Sequence, residues 1–500
     1  MKKFLTLIIL TAILFSGCGI ESRQITSVED LKHARIGCWP ECGYEFAARK
    51  VLPDAQYVYL DFVSDLVQNL KQNKIDAFVI AESYVENLKL EGVDVDYLPE
   101  NLGDVPTSYI FAKNEKGQQL CAQMNEFLKQ CEADGTLTAL DQKWIHSDET
   151  QRTFTKSKLS GENGTLKVGT DAASSPFVYL RGTEPVGFEV ELFDKFCATY
   201  GYDYEIKVEL FETMLVDMAS GKLDAALDAI EIMPEREQSM LFANPTYIQK
   251  TVAVINSDAI TGKSFLDETK DRIAATIIIE DRWKMFFSGI FSTLTITFSS
   301  MIFGTLLGFA VYMLYREKIK PVNKIINTVI QTLQGLPTMV LLLFFYYIVF
   351  GSVDVPAIFV AVVVFSILLS VSVFVMLKSG AESISKGQTE AALSLGFSER
   401  RAFVKFILPQ VIRIFFPSYR LALNTLLLET AIVGYIAVQD LTRIADLIRA
   451  RTYDAFLPII IISIIYLLLS WLLKKFADNV AIHFDPKTRR REDILKGVKL

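Results

Sequence analysis

Glu429 stands inside the apolar stretch LALNTLLLETAIVGYIAV. An ionisable group is costly there unless it faces a protein interior or a water path. The same carboxyl could instead be satisfied by Thr425 or Thr430 on its own helix. A second charged stretch precedes it. Between two apolar runs, Gly380–Leu423 carries Glu382, Lys386, Glu390, Glu399, Arg400, Arg401, Lys405 and Arg413. Its apolar residues from Ala391 to Leu395 follow a helical period. Gly396 sits where a left-handed residue ends a helix, and Ser398 where a side chain caps the next. Pro409 kinks or ends that second run. The stretch is a helix–turn–helix held between membrane segments. Other chemistry is missing. Gly262-Lys263-Ser264 has Ser257 where a phosphate-binding loop needs its first glycine, so the chain lacks an ATP motor. Cys18, Cys38, Cys42, Cys121, Cys131 and Cys197 make no zinc-type pair, and His33, His146 and His483 are scattered. No metal or other cofactor is expected. Cys38 and Cys42 either form a disulfide in an oxidising compartment or stay an isolated buried pair.

These residues must be positioned by several domains, since 500 residues exceed one. The net charge of −7 hides a soluble, acidic part before about residue 285 and a strongly apolar part after it. Residues 1–18 pair Lys2 and Lys3 with the apolar run Phe4–Phe15, too short to span a bilayer but suited to a secretory signal. Residues 24–146 alternate short apolar strands with helical patterns, as does 164–256, and both read as α/β. The polar stretch 147–163 has little to bury and reads as a linker; 257–285 reads as a second one. LVQNLKQNKIDA (Leu66–Ala77) and MLVDMASGKLDA (Met214–Ala225) form a weak repeat, which suggests two similar lobes around a ligand cleft. Apolar spans are expected near 286–315, 326–350, 356–377, 419–438 and 455–477, within a membrane domain 286–480 that precedes a cytoplasmic tail 481–500. With an external start, the basic clusters after spans one, three and five fall inside. Arg443, Arg449 and Arg451 fall outside and break that rule.

Two resemblances follow. Glu390-Ala391-Ala392, Gly396 and Ile407-Leu408-Pro409, within 380–417, resemble the EAA coupling loop of ABC importer permeases. The resemblance implies that Glu390, Ala391, Ala392, Gly396, Leu408 and Pro409 engage a separate cytoplasmic ATPase. Gln334-Gly335-Leu336-Pro337 resembles the same family's RGTP-like signature without its Arg. VGTDAASSPFVYLRGTEPVGFEVELFDKF and SGKLDAALDAIEIMPEREQSMLFANPTY resemble the first lobe of polar amino-acid binding proteins. SVEDLKHARIGCW, KIDAFVIAE and ADGTLTALDQKW resemble that family's second lobe and closing segment. The lobe order is inverted, so the fold expected is a circularly permuted, two-lobed α/β clamp followed by about five membrane helices. Two tandem remnants are the rival arrangement. A single permuted clamp is expected to keep one hinge crossover, near Pro106–Ala112. Phe15-Ser16-Gly17-Cys18 resembles a lipobox, implying a lipid on Cys18; an uncleaved anchor is the alternative.

The lobe resemblance makes Arg236 the receptor for a ligand carboxylate and Asp171 for an ammonium. Phe177 and Tyr179 match aromatic positions that stack on the ligand, or they pack the core. Departures matter: Glu231 replaces a Ser, Met233 a Thr, and only Glu82 lies near the position of the second lobe's amine-binding acid. Glu231 and Glu82 favour a cationic solute, unless binding has been lost. The reading is a transporter subunit, not an enzyme. It is a permease with a fused binding domain, sitting in the inner membrane as a homodimer, with no nucleic-acid partner. The rivals are a ligand-gated channel, which needs a lobe after the spans and a selectivity filter, and a sensor, which needs an output domain.

Overall fold

The computed structural model describes residues 25–484 apart from 258–264, Ser352 and Asp354. The signal segment with Cys18 and the tail from 485 lie outside the described residues. Two compact units emerge. One holds the chain up to Ile206, Leu223–Thr276 and Ile448–Phe456; the other holds Lys207–Lys222, Ile277–Leu447 and the residues from Leu457 on.

In the first unit the strands Ala77–Ala81 and Ala225–Glu231 are buried along their whole length, as central strands of a sheet covered on both faces are. The first lobe carries β1 (Arg35–Cys38), β2 (Gln56–Tyr59), β3 (Ala77–Ala81) and β4 (Val95–Tyr97), with helices α1 (Gly43–Val51), α2 (Val63–Lys71) and α3 (Glu82–Leu90). α1 starts where the Cys42 thiol accepts the Glu45 N–H; Cys38 and Cys42 are both free thiols. Next come β5 (Gly103–Ala112), α4 (Glu115–Ala133), α5 (Thr136–Trp144) and β6 (Thr165–Thr170). The hairpin strands β7 (Ala173–Ser174), β8 (Val178–Arg181) and β9 (Glu184–Val186) follow, then α6 (Phe188–Tyr200), β10 (Asp203–Val208) and α7 (Phe211–Ala219). The last are β11 (Ala225–Glu231), α8 (Pro234–Glu237), β12 (Met240–Phe242) and β13 (Tyr247–Asn256).

The main sheet runs β10-β6-β11-β5-β13-β3-β1-β2. β1, β2 and β3 pair in parallel, as do β6 and β11. β5 and β13 cross between the lobes as an antiparallel pair, Tyr247 opposite Thr107 and Thr251 opposite Gly103. Beyond that pairing β5 runs beside β11 and β12, while β13 runs beside β3 and β4. Two strands therefore cross, where one was expected. The break in the chain order falls after β13 has already joined the first lobe's sheet, so neither hinge strand is cut.

The second unit is helical. After α9 (Phe265–Ile277), which replaces part of the expected 257–285 linker, comes α10 (Arg282–Tyr315). It packs along α13 (Ala357–Glu382). A Cβ on Gly304 or Gly308 would lie 2.8 and 2.6 Å from the carbonyls of Ser366 and Ser370. Only glycine lets these two backbones approach so closely. The stretch expected as one span near 326–350 is broken. α11 (Lys320–Gln334) and α12 (Thr338–Phe344), which runs on to Val349, meet at 108°. Gly335 and Pro337 stand at the break, where proline has no N–H to continue the helix. Among the described residues four helices are long and apolar enough to cross a membrane, or five if the bent pair counts as one span. Helix α14 (Lys386–Ser394), α15 (Glu399–Ala402), a π turn (Phe403–Ile407) and α16 (Leu408–Glu429) follow, then α17 (Leu441–Thr452) and α18 (Leu457–Phe484). The fourth span begins at Glu399, about twenty residues before its expected start. Lys207–Lys222, which includes α7, belongs to this unit: Arg443 donates to the Glu209 carbonyl at 3.2 Å, and within the segment Lys207 bridges Glu209 and Asp217 at 2.6 Å each.

Candidate functional site

β6 ends at Thr170, which leaves Asp171 at the mouth of the second lobe. Its carboxylate accepts the Ala173 N–H at 2.7 Å. Asp228, on the fully buried strand β11, faces it and takes the Thr170 hydroxyl at 3.4 Å. Burial first, and then the Asp171 charge beside it, push the Asp228 carboxyl well above the ordinary carboxylate range. Glu189, fully buried at the start of α6, takes the Ala229 N–H at 2.8 Å and the Thr246 hydroxyl at 3.3 Å. Burial outweighs those bonds and raises it to about 7. This lobe thus gathers acids around β6 and β11, two of which, Asp228 and Glu189, are absent from the expected set. The sequence signal was there in ALDAIE, a strand with no exposed face to put an aspartate on.

Glu231 closes β11. Its Oε2 stands 3.3 Å from Arg236 Nη1 and accepts the Gly43 N–H from the first lobe at 3.2 Å. Arg236 also donates to the Glu231 carbonyl at 3.4 Å. The guanidinium expected to receive a ligand carboxylate is paired with a carboxylate of its own chain. Phe177 is fully buried and touches Tyr84, Phe188 and Tyr247, ring centroids 6.0, 5.9 and 5.2 Å away. Tyr84 comes from the first lobe and also meets Trp39 edge-on at 6.1 Å. Tyr179 gives its hydroxyl to Glu149 at 2.9 Å. Both expected ligand aromatics are packed in the interior. Glu82 is not brought to the others; it accepts from Tyr97 at 3.2 Å and faces Lys250 at 3.6 Å.

The stretch 147–163 does bury something. Arg152 is fully buried, with Nη1 on Asn87 Oδ1 at 2.7 Å. Its Nε and Nη2 have no hydrogen-bond partner among the described residues. Asn87, also fully buried, donates to Ser175 at 3.4 Å and to Tyr453 at 2.8 Å. Polar composition concealed this cluster, because a buried arginine looks like any solvated one in sequence.

In the helical unit, Glu429 lines a cavity of about 440 Å³ with Gln334, Thr338, Ser372, Ser418 and Thr425. Thr430 does not satisfy it, since its hydroxyl goes to the Leu427 carbonyl at 2.7 Å. At the coupling stretch, α14 ends on Gly396, whose φ is +82°. The Phe397 N–H reaches back to the Ala392 carbonyl at 3.2 Å. Ser398 caps the next helix by accepting the Arg401 N–H at 3.4 Å. Pro409 does not end that helix: a π turn precedes it, and Pro409 sits in the first turn of α16, where its missing N–H is harmless. Gln410 ties α16 to α14 through Gln388 at 2.5 Å. Glu390, Ala391 and Gly396 are exposed, Ala392 is buried, Leu408 is half-buried, and Leu395 is 77% exposed.

Residues 301–490 match the family described as binding-protein-dependent transport system inner membrane component. Residues 166–393 match bacterial extracellular solute-binding proteins, family 3. The arginine transport system permease protein ArtQ of Bacillus subtilis is 30% identical over 190 residues, 37% of this chain and 85% of that protein. The L-cystine transport system permease protein TcyB of Bacillus subtilis is 27% identical over 199 residues, 39% of this chain and 85% of that protein. A solved structure, "Crystal structure of an amino acid ABC transporter with histidines", is 31% identical and covers 45% of this chain and 100% of that one, with a TM-score of 0.38. The chain belongs to the ABC importer permease family. This permease carries a solute-binding domain ahead of its membrane helices, on the same polypeptide. In the permease Glu390-Ala391-Ala392 lies on α14 and the Leu408-Pro409 pair opens α16; from Glu399 onward the chain runs as one helix into the fourth span.

Proposed function

We propose that this permease is the membrane subunit of an ATP-driven importer for amino acids or related small polar solutes. It works as a homodimer with two copies of a separate cytoplasmic ATPase. Its clamp, residues 24–256, is one circularly permuted binding domain on the external side of the inner membrane, tethered there by a lipid on Cys18. The relatives named above transport arginine and L-cystine, which supports an amino-acid cargo. Asp171 supplies negative charge that favours a cationic one. The observation that carries the coupling role is the Gly396 turn, with Leu395 exposed at its tip. Glu429, on the wall of its cavity, lies on the solute path.

Two substitutions test the coupling role. Gly396→Val forces a β-branched residue into left-handed backbone, at a cost of about 1–2 kcal/mol or more. Leu395→Asp leaves the backbone alone and charges the docking tip. Both should abolish uptake and solute-stimulated ATP hydrolysis with the ATPase co-purified, while the clamp melts as in wild type. Normal uptake by Leu395→Asp would remove the turn from the coupling interface.

A further inference from the structure

The arginines that broke the basic-inside pattern are not loop charges. Arg449 and Arg451 are buried, 8% and 4% exposed, and both lie in Ile448–Phe456, the segment that belongs to the first unit. Arg449 Nη2 meets Asp65 of α2 at 2.8 Å, its guanidinium 4.7 Å from the Phe62 ring. Arg451 reaches both lobes. Its Nη1 is 2.8 Å from Glu91, the residue that ends α3 in the first lobe. Its Nη2 donates to Glu149 at 2.9 Å, and its guanidinium lies 4.6 Å from the Tyr179 ring of the second lobe. Two residues on, the Tyr453 hydroxyl accepts from Asn87, which also donates to Ser175 of the second lobe. Asp454 binds Arg272 of α9 with both oxygens, at 2.8 and 3.0 Å.

We infer that Ile448–Phe456 is a latch that holds the clamp closed. A guanidinium can donate to two carboxylates at once, which a lysine cannot do in fixed geometry. Arg451 ion-pairs with Glu91 on one lobe and donates to Glu149 on the other. Opening the clamp pulls those acids apart and strands a desolvated cation against one of them, the costly outcome for a buried pair. Arg449 and Asp454 fix the segment on either side, so that Arg451 arrives at the lobe boundary already placed. In sequence the segment joins α17 to α18, so clamp opening is tied to the connection between the last two spans. Solute release then requires the latch to withdraw. The polypeptide itself, with no free binding protein, sets when the cleft opens.

Hydrogen exchange read by mass spectrometry on the full chain in detergent tests this without knowing the solute. The reporters are Trp39–Glu45 and Asp171–Tyr179, which face the lobe boundary but do not touch Arg451, Tyr179 itself excepted. Arg451→Gln should speed exchange in both by about ten-fold or more, with Arg451→Lys intermediate. Glu91→Gln, at a partly exposed helix end that no fold depends on, should speed them in the same way. A purely local role for Arg451 would raise exchange only around residues 87–91 and 147–152. Unchanged reporters in Glu91→Gln overturn the latch, whether or not Arg451→Gln folds.

Discussion

Arg236 and Glu231 share a salt bridge of 3.3 Å, and the same glutamate oxygen receives the backbone of Gly43 from the opposite lobe. One carboxylate thus neutralises the guanidinium and joins the lobes, the two tasks a bound amino acid's α-carboxylate would perform in such a clamp. For the amino-acid cargo proposed above, this carboxylate would be a substitute for part of the ligand.

Replacing Glu231 by Thr removes that substitute. Amino acids should then stabilise the full chain against heat more strongly, with apparent affinity about ten-fold tighter, because a bidentate arginine–carboxylate pair becomes available. A thermal-shift panel of cationic, neutral and acidic amino acids reads this. If Glu231→Thr gains nothing with any of them, Arg236 is a structural residue.

Stability should depend on pH through Glu189. Its carboxyl is raised from 4.5 to about 7 by burial. Between those values the folded state holds a proton that the unfolded state has lost, so stability falls as pH rises. Above about 7 the loss is complete, at roughly 3 kcal/mol. Asp228 is raised too and adds to the same slope. Thermal melts from pH 5 to 8 should show the clamp transition falling, and Glu189→Gln should flatten that fall. An unchanged slope in Glu189→Gln would assign it to other groups.

Glu429→Gln keeps the size of the side chain and removes its charge from the cavity wall. Uptake in vesicles should drop by about ten-fold or more, with clamp melting unaltered. Full uptake would mean that the carboxyl is not on the solute path.

The crossed strands β5 and β13 make the two lobes one folding unit. Residues 25–257 expressed alone should unfold in a single cooperative transition. Residues 25–146 lack β13, and 164–256 lack β5, so each half loses the partner of its central strand and should not fold alone. A native-like melt from either half would favour two tandem remnants.

What the sequence made legible was local. Gly396, Ser398 and the helical period before them need only their neighbours, and the turn forms as those residues dictate. The bend at Gly335–Pro337 was visible as residue types, but a hydropathy window averages across it, and two half-helices read as one span. Arg152, Arg449 and Arg451 were legible only as anomalies. A polar linker and three external arginines announce no partners, because Glu91, Glu149 and Asp65 lie hundreds of positions away from some of them. The second crossover was missed for a related reason: β13 reads only as the short strand Thr251–Ile255, and the polar Gln249 and Lys250 before it hide the half that pairs with β5.

The path of β13 has a mechanical consequence. It ends in the first lobe's sheet, and the chain also enters the clamp there, at Ile25 in that lobe's core. A pull applied between the start of the chain and the first span is carried through β1, β3 and β13. It never passes through the hinge. The second lobe hangs from two antiparallel strands outside that line of force, so tension along the polypeptide leaves its swing unloaded.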